Sequence, residues 1–179
     1  MTQPVGKNLK DLYDLIEGME IAMFTTRRPD GHLVSRPMAT QTQAEGADLW
    51  FVTNIESHKL DELELDPHVN LAYYRDRTRE WVSVSGTAFV SHDRKAIHEL
   101  YRPDWRMWFG DEGGARDGGP DDPRLALINV DVHAVTYLKQ DKPRPVVLFE
   151  VVKGMVTGKT PDLGEPRTVE VRDAGTLGR

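Results

Sequence analysis

The rhythm of the apolar runs constrains this chain more than any other feature. "IAMFTTR" (21–27), "HLVSRPMATQT" (32–42), "LWFVTN" (49–54), "HVNLAYYRD" (68–76), "EWVSVSGTAFVSHD" (80–93), "LALINVDVHAVTYLKQ" (125–140) and "VVLFEVVKGMVTG" (146–158) each read as a strand. "RPDGH" (28–32) and "AEGAD" (44–48) supply turn chemistry between them. Three helices are interspersed: residues 8–19, where Leu9, Leu12, Tyr13, Ile16 and Met19 keep helical spacing, then 57–65 and about 93–102. This order is not a regular alternation of strand and helix. It predicts a mainly β fold: an antiparallel sheet closed as a barrel, with helices at its ends. Pro37 cannot donate to a ladder, which places it at an edge, a bulge or a strand end. Gly86, in the middle of the fifth run, fits a long bent strand.

The 179 residues make one domain the expectation. We expect it to span residues 8–157, followed by a polar tail at 158–179 with little periodicity. The net charge of -6 argues against a general nucleic-acid binder. The absence of cysteine removes disulfides, thiolate metal sites and cysteine nucleophiles, and fits a reducing compartment. No apolar run approaches the roughly 18 residues of a membrane span. "MTQPVGKNLKDLYDL" lacks the apolar core of a secretion signal, so the expected location is the cytoplasm.

Several motifs mislead. "GMVTGKT" (154–160) has three residues between its glycines where a phosphate loop needs four, and Pro161 stands where a helix should begin. The six histidines form no H-x-H or H-x-x-x-H pair, so no dedicated metal site is expected. No G-x-S-x-G elbow anchors a hydrolase triad. Residues 102–123 are rich in Gly, Pro and Asp, and their centre reads as a mobile loop with little to pack. Trp105, Trp108 and Phe109 cluster before it at i, i+3, i+4, a spacing that suits core or a subunit interface as well as a ligand cover.

The stretch "LWFVTNIESHKLDEL" (49–63) carries the chemistry. It reads as a buried strand, a short turn and a helix starting near Ser57. His58 and Lys59 then fall in the first turn with Asp61, Glu62, Glu64 and Asp66 after them, the reverse of what a helix dipole favours. A bound phosphate would resolve that order, with Thr53, Ser57, His58 and Lys59 as donors. The competing reading makes Ser57 an ordinary cap and pairs Lys59 with Glu62 on a solvated face.

An ordered set of motifs resembles a known family. "SRPM" (35–38), "WFVTNIESHK" (50–59), "DPHVNLAY" (66–73) and "SGTA" (85–88) together look like the flavin-binding split barrels related to pyridoxamine 5′-phosphate oxidase, in the branch of general stress protein 26. The resemblance implies a six-stranded antiparallel split β-barrel. It also implies a homodimer with FMN between subunits, less often deazaflavin F420 or haem. Carried over, Thr53, Ser57, His58 and Lys59 match the phosphate-binding strand and turn, and Val52 beside them is expected to contact the cofactor. Arg36, Pro37, Met38 and Ala39 match the strand along the isoalloxazine ring, with the Arg36 side chain near the ring's polar edge or the phosphate. Trp81 matches a flavin-side position where pyridoxamine 5′-phosphate oxidase itself carries glutamine. Trp105 and Trp108 fall where this branch covers the pocket.

Two classes of function follow. One is an FMN-dependent oxidoreductase exchanging electrons with an unknown small molecule, with no residue standing out as the catalytic acid or base. The other is a flavin carrier, buffer or sensor; a deazaflavin reductase is a variant of the first. Oxidation of pyridoxamine phosphate itself is not expected, since the chain lacks an R-x-H-like substrate-phosphate cluster near its C-terminus.

Overall fold

The structure is a computed structural model that describes residues 12–139 and 166–170. A short helix α1 (residues 12–16) leads into β1 (Ile21–Arg27), β2 (Leu33–Ala39) and β3 (Leu49–Asn54). Helix α2 (Lys59–Leu65) is followed by β4 (His68–Arg75), β5 (Glu80–Ser91) and helix α3 (Arg94–Leu100). A 3-10 turn (Pro103–Trp105), helix α4 (Arg106–Phe109), β6 (Leu125–Leu138) and β7 (Arg167–Glu170) complete the described chain. The strand read at 146–158 lies outside the described residues, as does "GMVTGKT".

All the pairings are antiparallel, in the order β2-β1-β4-β5-β6-β3, with β7 added to β6. The mainly β antiparallel architecture expected from the pattern is therefore present, with seven strands in the sheet rather than six. The additional strand β7 falls within the segment read as a polar tail. Its exposed residues pair with Ala134–Tyr137, beyond the stretch of β6 that pairs with β3. Sequence gave no sign of it because none of the four residues contributes to a core.

Strand alternation builds the main core. Ala22 and Phe24 of β1, Leu71 and Tyr73 of β4, and Val82 and Val84 of β5 point inward and are buried, and Phe24 meets Phe51 edge-on at 5.2 Å. Residues 125–128 are buried without alternation because this part of β6 lies between two cores. Ile128 and Val130 face the first, while Leu125 and Leu127 join Trp50, Ile97, Trp105 and Phe109 in a second core beneath α3 and α4. Two-sided burial is what a continuous apolar run requires. Trp50 and Trp105 are thus core residues, only 4% and 3% exposed, which for Trp105 selects core among the readings its spacing left open.

Local chemistry agrees with position. Pro37 lies in β2, which among the described residues ladders only with β1 and forms one end of the strand order. Asp93 caps α3 by accepting from the amides of Lys95 and Ala96. At Gly86 the β5–β6 register shifts, leaving His133 as the extra residue. A Cβ there would overlap the Asp131 carbonyl oxygen and lie 2.9 Å from Val130 Cγ1. Gly86→Ala should therefore lower unfolding free energy by about 1–3 kcal/mol in a denaturant melt. An unchanged midpoint would mean that the two strands can separate at no cost.

The segment after α4 is not the unpacked loop its glycines and prolines suggest. Arg124, 1% exposed, donates to both Asp122 carboxylate oxygens, the carbonyls of Phe109, Gly110 and Arg116, and Glu112. Arg94 adds bonds to the carbonyls of Pro120 and Asp122. A guanidinium's five donors replace apolar packing here, so composition misjudged the loop. The Arg124 hydrogen bond, with help from the Arg124 and Gly118 amides, outweighs desolvation and pulls the Asp122 carboxyl down from 3.8 to about 2. Its stabilising contribution is complete above the unfolded value and fades as pH falls toward about 2. Asp122→Asn should cost roughly 3 kcal/mol at neutral pH, because the guanidinium stays buried without its counter-charge. The gap between wild-type and variant thermal melts should then narrow between pH 4 and 2; a constant gap would exclude this carboxylate as its source.

Candidate functional site

The two ends of the strand order, β2 and β3, meet where the Gln41 amide donates to the Trp50 carbonyl at 2.9 Å. From there β2 and β3 run on without a ladder between them. The resulting split is a cleft of about 380 Å³, bounded by Arg36–Ala39 of β2, by Val52–Asn54 of β3, by Ser57 and Lys59, and by the α4 region. Among the described residues β2 ladders only with β1, so backbone groups along its other edge have no described strand partner and would suit a ligand.

One end of the cleft is cationic. The Lys59 ammonium donates to Thr53 Oγ1 at 2.7 Å, and this neutral hydroxyl is its hydrogen-bond partner. Arg36 donates to Thr26 Oγ1 and to Glu62 Oε2, both at 2.7 Å, and Thr26 donates to the same carboxylate oxygen at 2.5 Å. In these contacts Arg36 is bonded to a carboxylate and Lys59 to a hydroxyl. Desolvation pulls the Lys59 amine below its ordinary value and the Arg36 charge adds to that, with Glu62 opposing. Desolvation works to raise the Glu62 carboxyl, but the bonds from Thr26 and Arg36 prevail and hold it low. An anion against Lys59 would supply the missing charge.

The rest is apolar. Ile21, Met38, Val52, Trp105, Trp108 and Phe109 line it. Trp105 is fixed by an Nε1 bond to Gln41 Oε1 at 3.1 Å and an edge-on contact with Tyr101 at 5.5 Å. Trp108 is 77% exposed at the mouth. Pro103 opens the turn before α4, and Gly110, at φ 65°, ends the helix in a backbone region glycine adopts without strain.

The structure brings together eight of the ten residues singled out from sequence: Arg36, Pro37, Met38, Ala39, Val52, Thr53, Ser57 and Lys59. His58 is not among the lining residues; its side chain is 99% exposed and lies 3.8 Å from Asp61. Trp81 also lies away from this cleft of the single chain, paired with Tyr74 and Leu138 in the sheet. The charge puzzle of residues 57–66 changes form. The helix starts two residues later than expected, so His58 is the N-cap position and Asp61 and Glu62 occupy the first turn, where the dipole favours acids. Lys59 does not pair with Glu62 by hydrogen bond, because Arg36 and Thr26 hold that carboxylate. Ile21, Gln41, Asn54 and Asp104 also line the cleft and were missed. Asn54 stands within the WFVTNIESHK stretch beside Thr53, whereas Ile21, Gln41 and Asp104 carry no signal in one sequence. Glu62 was read only as a surface partner, although it is 8% exposed and set the position of Arg36. Among the described residues no cluster of three metal-ligating side chains occurs.

Comparison with known proteins agrees with this architecture. Residues 7–162 match the family model described as pyridoxamine 5′-phosphate oxidase like. Protein bli-3 of Neurospora crassa is 36% identical over 173 residues, spanning 95% of this chain and 83% of that protein. A structure described as general stress protein 26, from Jannaschia sp. CCS1, superposes with a TM-score of 0.66 at 25% identity, covering 92% of this chain and 99% of the other. The general stress FMN/FAD binding protein of Xanthomonas citri shares the fold at 19% identity, with a TM-score of 0.56 over 97% and 96% of the two chains. The sheet order, the split it leaves and these matches together place the chain in the pyridoxamine 5′-phosphate oxidase-like family.

Proposed function

We propose that the cleft binds FMN and that the chain is a flavin-dependent oxidoreductase working as a cytoplasmic homodimer. The observation that carries this reading is the pairing, in one cleft, of an under-neutralised cation end with a flat apolar slot. Lys59, Thr53 and Ser57 would hold the phosphate. Pro37–Ala39 would present edge-strand backbone to the ring's amide-like rim, while Met38, Val52 and the aromatic wall of α4 cover its faces. Arg36 is fixed by Glu62 and Thr26, so its charge sits at a constant place beside the site. The residues therefore fit the group. The bound flavin would supply the electron transfer, and the chain would supply orientation, charge and exclusion of water.

The dimer is supported by the outward face of β1 and its neighbours. Ile21, Met23 and Tyr74 are 50%, 43% and 55% exposed there, and Ile21 also lines the cleft. A second copy on that face would close the slot from the open side. The cytoplasmic assignment draws on the cysteine-free composition; among the described residues no helix is long and apolar enough to cross a membrane.

Titrating FMN and riboflavin into wild type and Lys59→Ala tests the reading. A charge-assisted hydrogen bond is worth roughly 1.5–3 kcal/mol, so FMN affinity should fall about 10- to 150-fold. Riboflavin, which lacks the phosphate, should bind as before. Equal loss of both ligands would assign Lys59 to the ring or to folding, and no loss would remove it from the site. Light scattering should give twice the 20.3 kDa chain mass, and a monomer with flavin present would overturn the dimer. Anaerobic mixing with a reduced nicotinamide should bleach the bound flavin rapidly; a spectrum that stays oxidised would favour a carrier or sensor.

A further inference from the structure

Arg124 is the largest fully buried side chain among the described residues, and it takes no part in the cleft lining. Its contacts nevertheless reach both walls of the cleft. The guanidinium donates to the carbonyls of Phe109 at 2.8 Å and Gly110 at 3.0 Å, which end the helix carrying the aromatic wall. It also lies 5.7 Å from the centre of the Phe109 ring. On the other side, its backbone carbonyl accepts from the Ile55 amide at 2.9 Å. Ile55 follows Asn54 in the turn that leads to Ser57, and both of those residues line the cleft. Asp122, fully buried, grips the guanidinium at 2.7 Å and fixes its plane.

The chemistry asks for arginine. A planar fork of five donors satisfies several carbonyls in fixed directions at once, whereas a lysine offers three donors from one point. A buried ion pair is also a poor way to gain stability alone, since apolar residues of similar volume often serve as well. Its gain here is geometric. A second link runs parallel to it: Arg116, whose carbonyl Arg124 holds, pairs through its own guanidinium with Glu56 of the same turn at 2.8 Å.

We propose that Arg124 is a positioning residue that sets the width of the cleft, holding the α4 wall and the turn after β3 at a fixed separation so that a flat ring fits between them. The ring rests on the flavin reading above; the coupling of the two walls does not. Arg124 touches no ligand and acts through Phe109, Gly110 and Ile55.

Arg124→Lys keeps the charge and loses the fork. In the ligand-free variant, amide hydrogen exchange should accelerate at least about tenfold in both residues 106–110 and 55–57, while β4 and β5 keep wild-type protection. Affinity for FMN and for riboflavin should then fall by the same factor, about tenfold for one lost charge-assisted bond. That pattern differs from Lys59→Ala, which affects FMN alone. Unchanged exchange in either wall, or acceleration spread evenly over all strands, would overturn the proposal; so would wild-type affinity for both flavins. If wild type binds neither flavin, the flavin reading fails, and the exchange pattern alone decides the coupling. Should Arg124→Lys not fold, Glu112→Ala removes one exposed acceptor of the same guanidinium. It should give a smaller acceleration in residues 106–110, and its absence would count against the proposal.

Discussion

Closure of the sheet depends on where β2 and β3 stop meeting. The Gln41 amide reaches the Trp50 carbonyl, and beyond that point the strands run on without a ladder. A fully closed barrel would have satisfied both edges and left no room between them. The split instead leaves edge backbone of β2 facing a gap, with β3 and the start of α2 on the far side. Pro37 suits that edge because it has no amide to leave unpaired. The cleft is thus a property of topology, formed from residues up to 88 positions apart in the chain, from Ile21 to Phe109.

The electrostatics of the cleft follow from how few carboxylates enter it. Glu62 is drawn under the sheet by Thr26 and Arg36, and the three form one hydrogen-bonded group. This arrangement neutralises Arg36 but leaves Lys59 against a hydroxyl. Burying a cation in that state is unfavourable, and its amine is accordingly displaced below the ordinary lysine value. The same imbalance that costs stability in the ligand-free chain provides affinity for an anion.

A second core makes the aromatic wall possible. β3 and the start of β6 are buried on both faces, so the sheet supports the barrel interior on one side and Ile97, Trp105 and Phe109 on the other. The segment from Gly110 to Arg124 then closes over that core through the Arg124–Asp122 pair instead of apolar contacts. Exposed ion pairs nearby, such as Arg116 with Glu112 and Arg106 with Asp117, add little by themselves in water. The buried pair has no such screening, and it determines the path of the loop.

The sequence by itself determined β1 to β6, because alternating apolar positions and turn residues are local signals. It placed β1 and β4 within a residue or two, limited Pro37 to an edge, a bulge or a strand end, and marked Gly86 as the bend of β5. It also gathered Arg36–Ala39, Val52, Thr53, Ser57 and Lys59 as one group, through the resemblance its ordered motifs carry. The strand β7 and the packed loop before Arg124 were illegible: an exposed strand has no apolar period, and an arginine reads as a surface residue until its partners are known. Tertiary structure alone decided that His58 faces solvent, that Trp105 is core while Trp108 is not, and that Glu62 serves Arg36 rather than Lys59. The physical reason is the same in each case. Helix start, burial and ion pairing are set by which segments meet across the sheet, and a single chain of letters does not record that meeting.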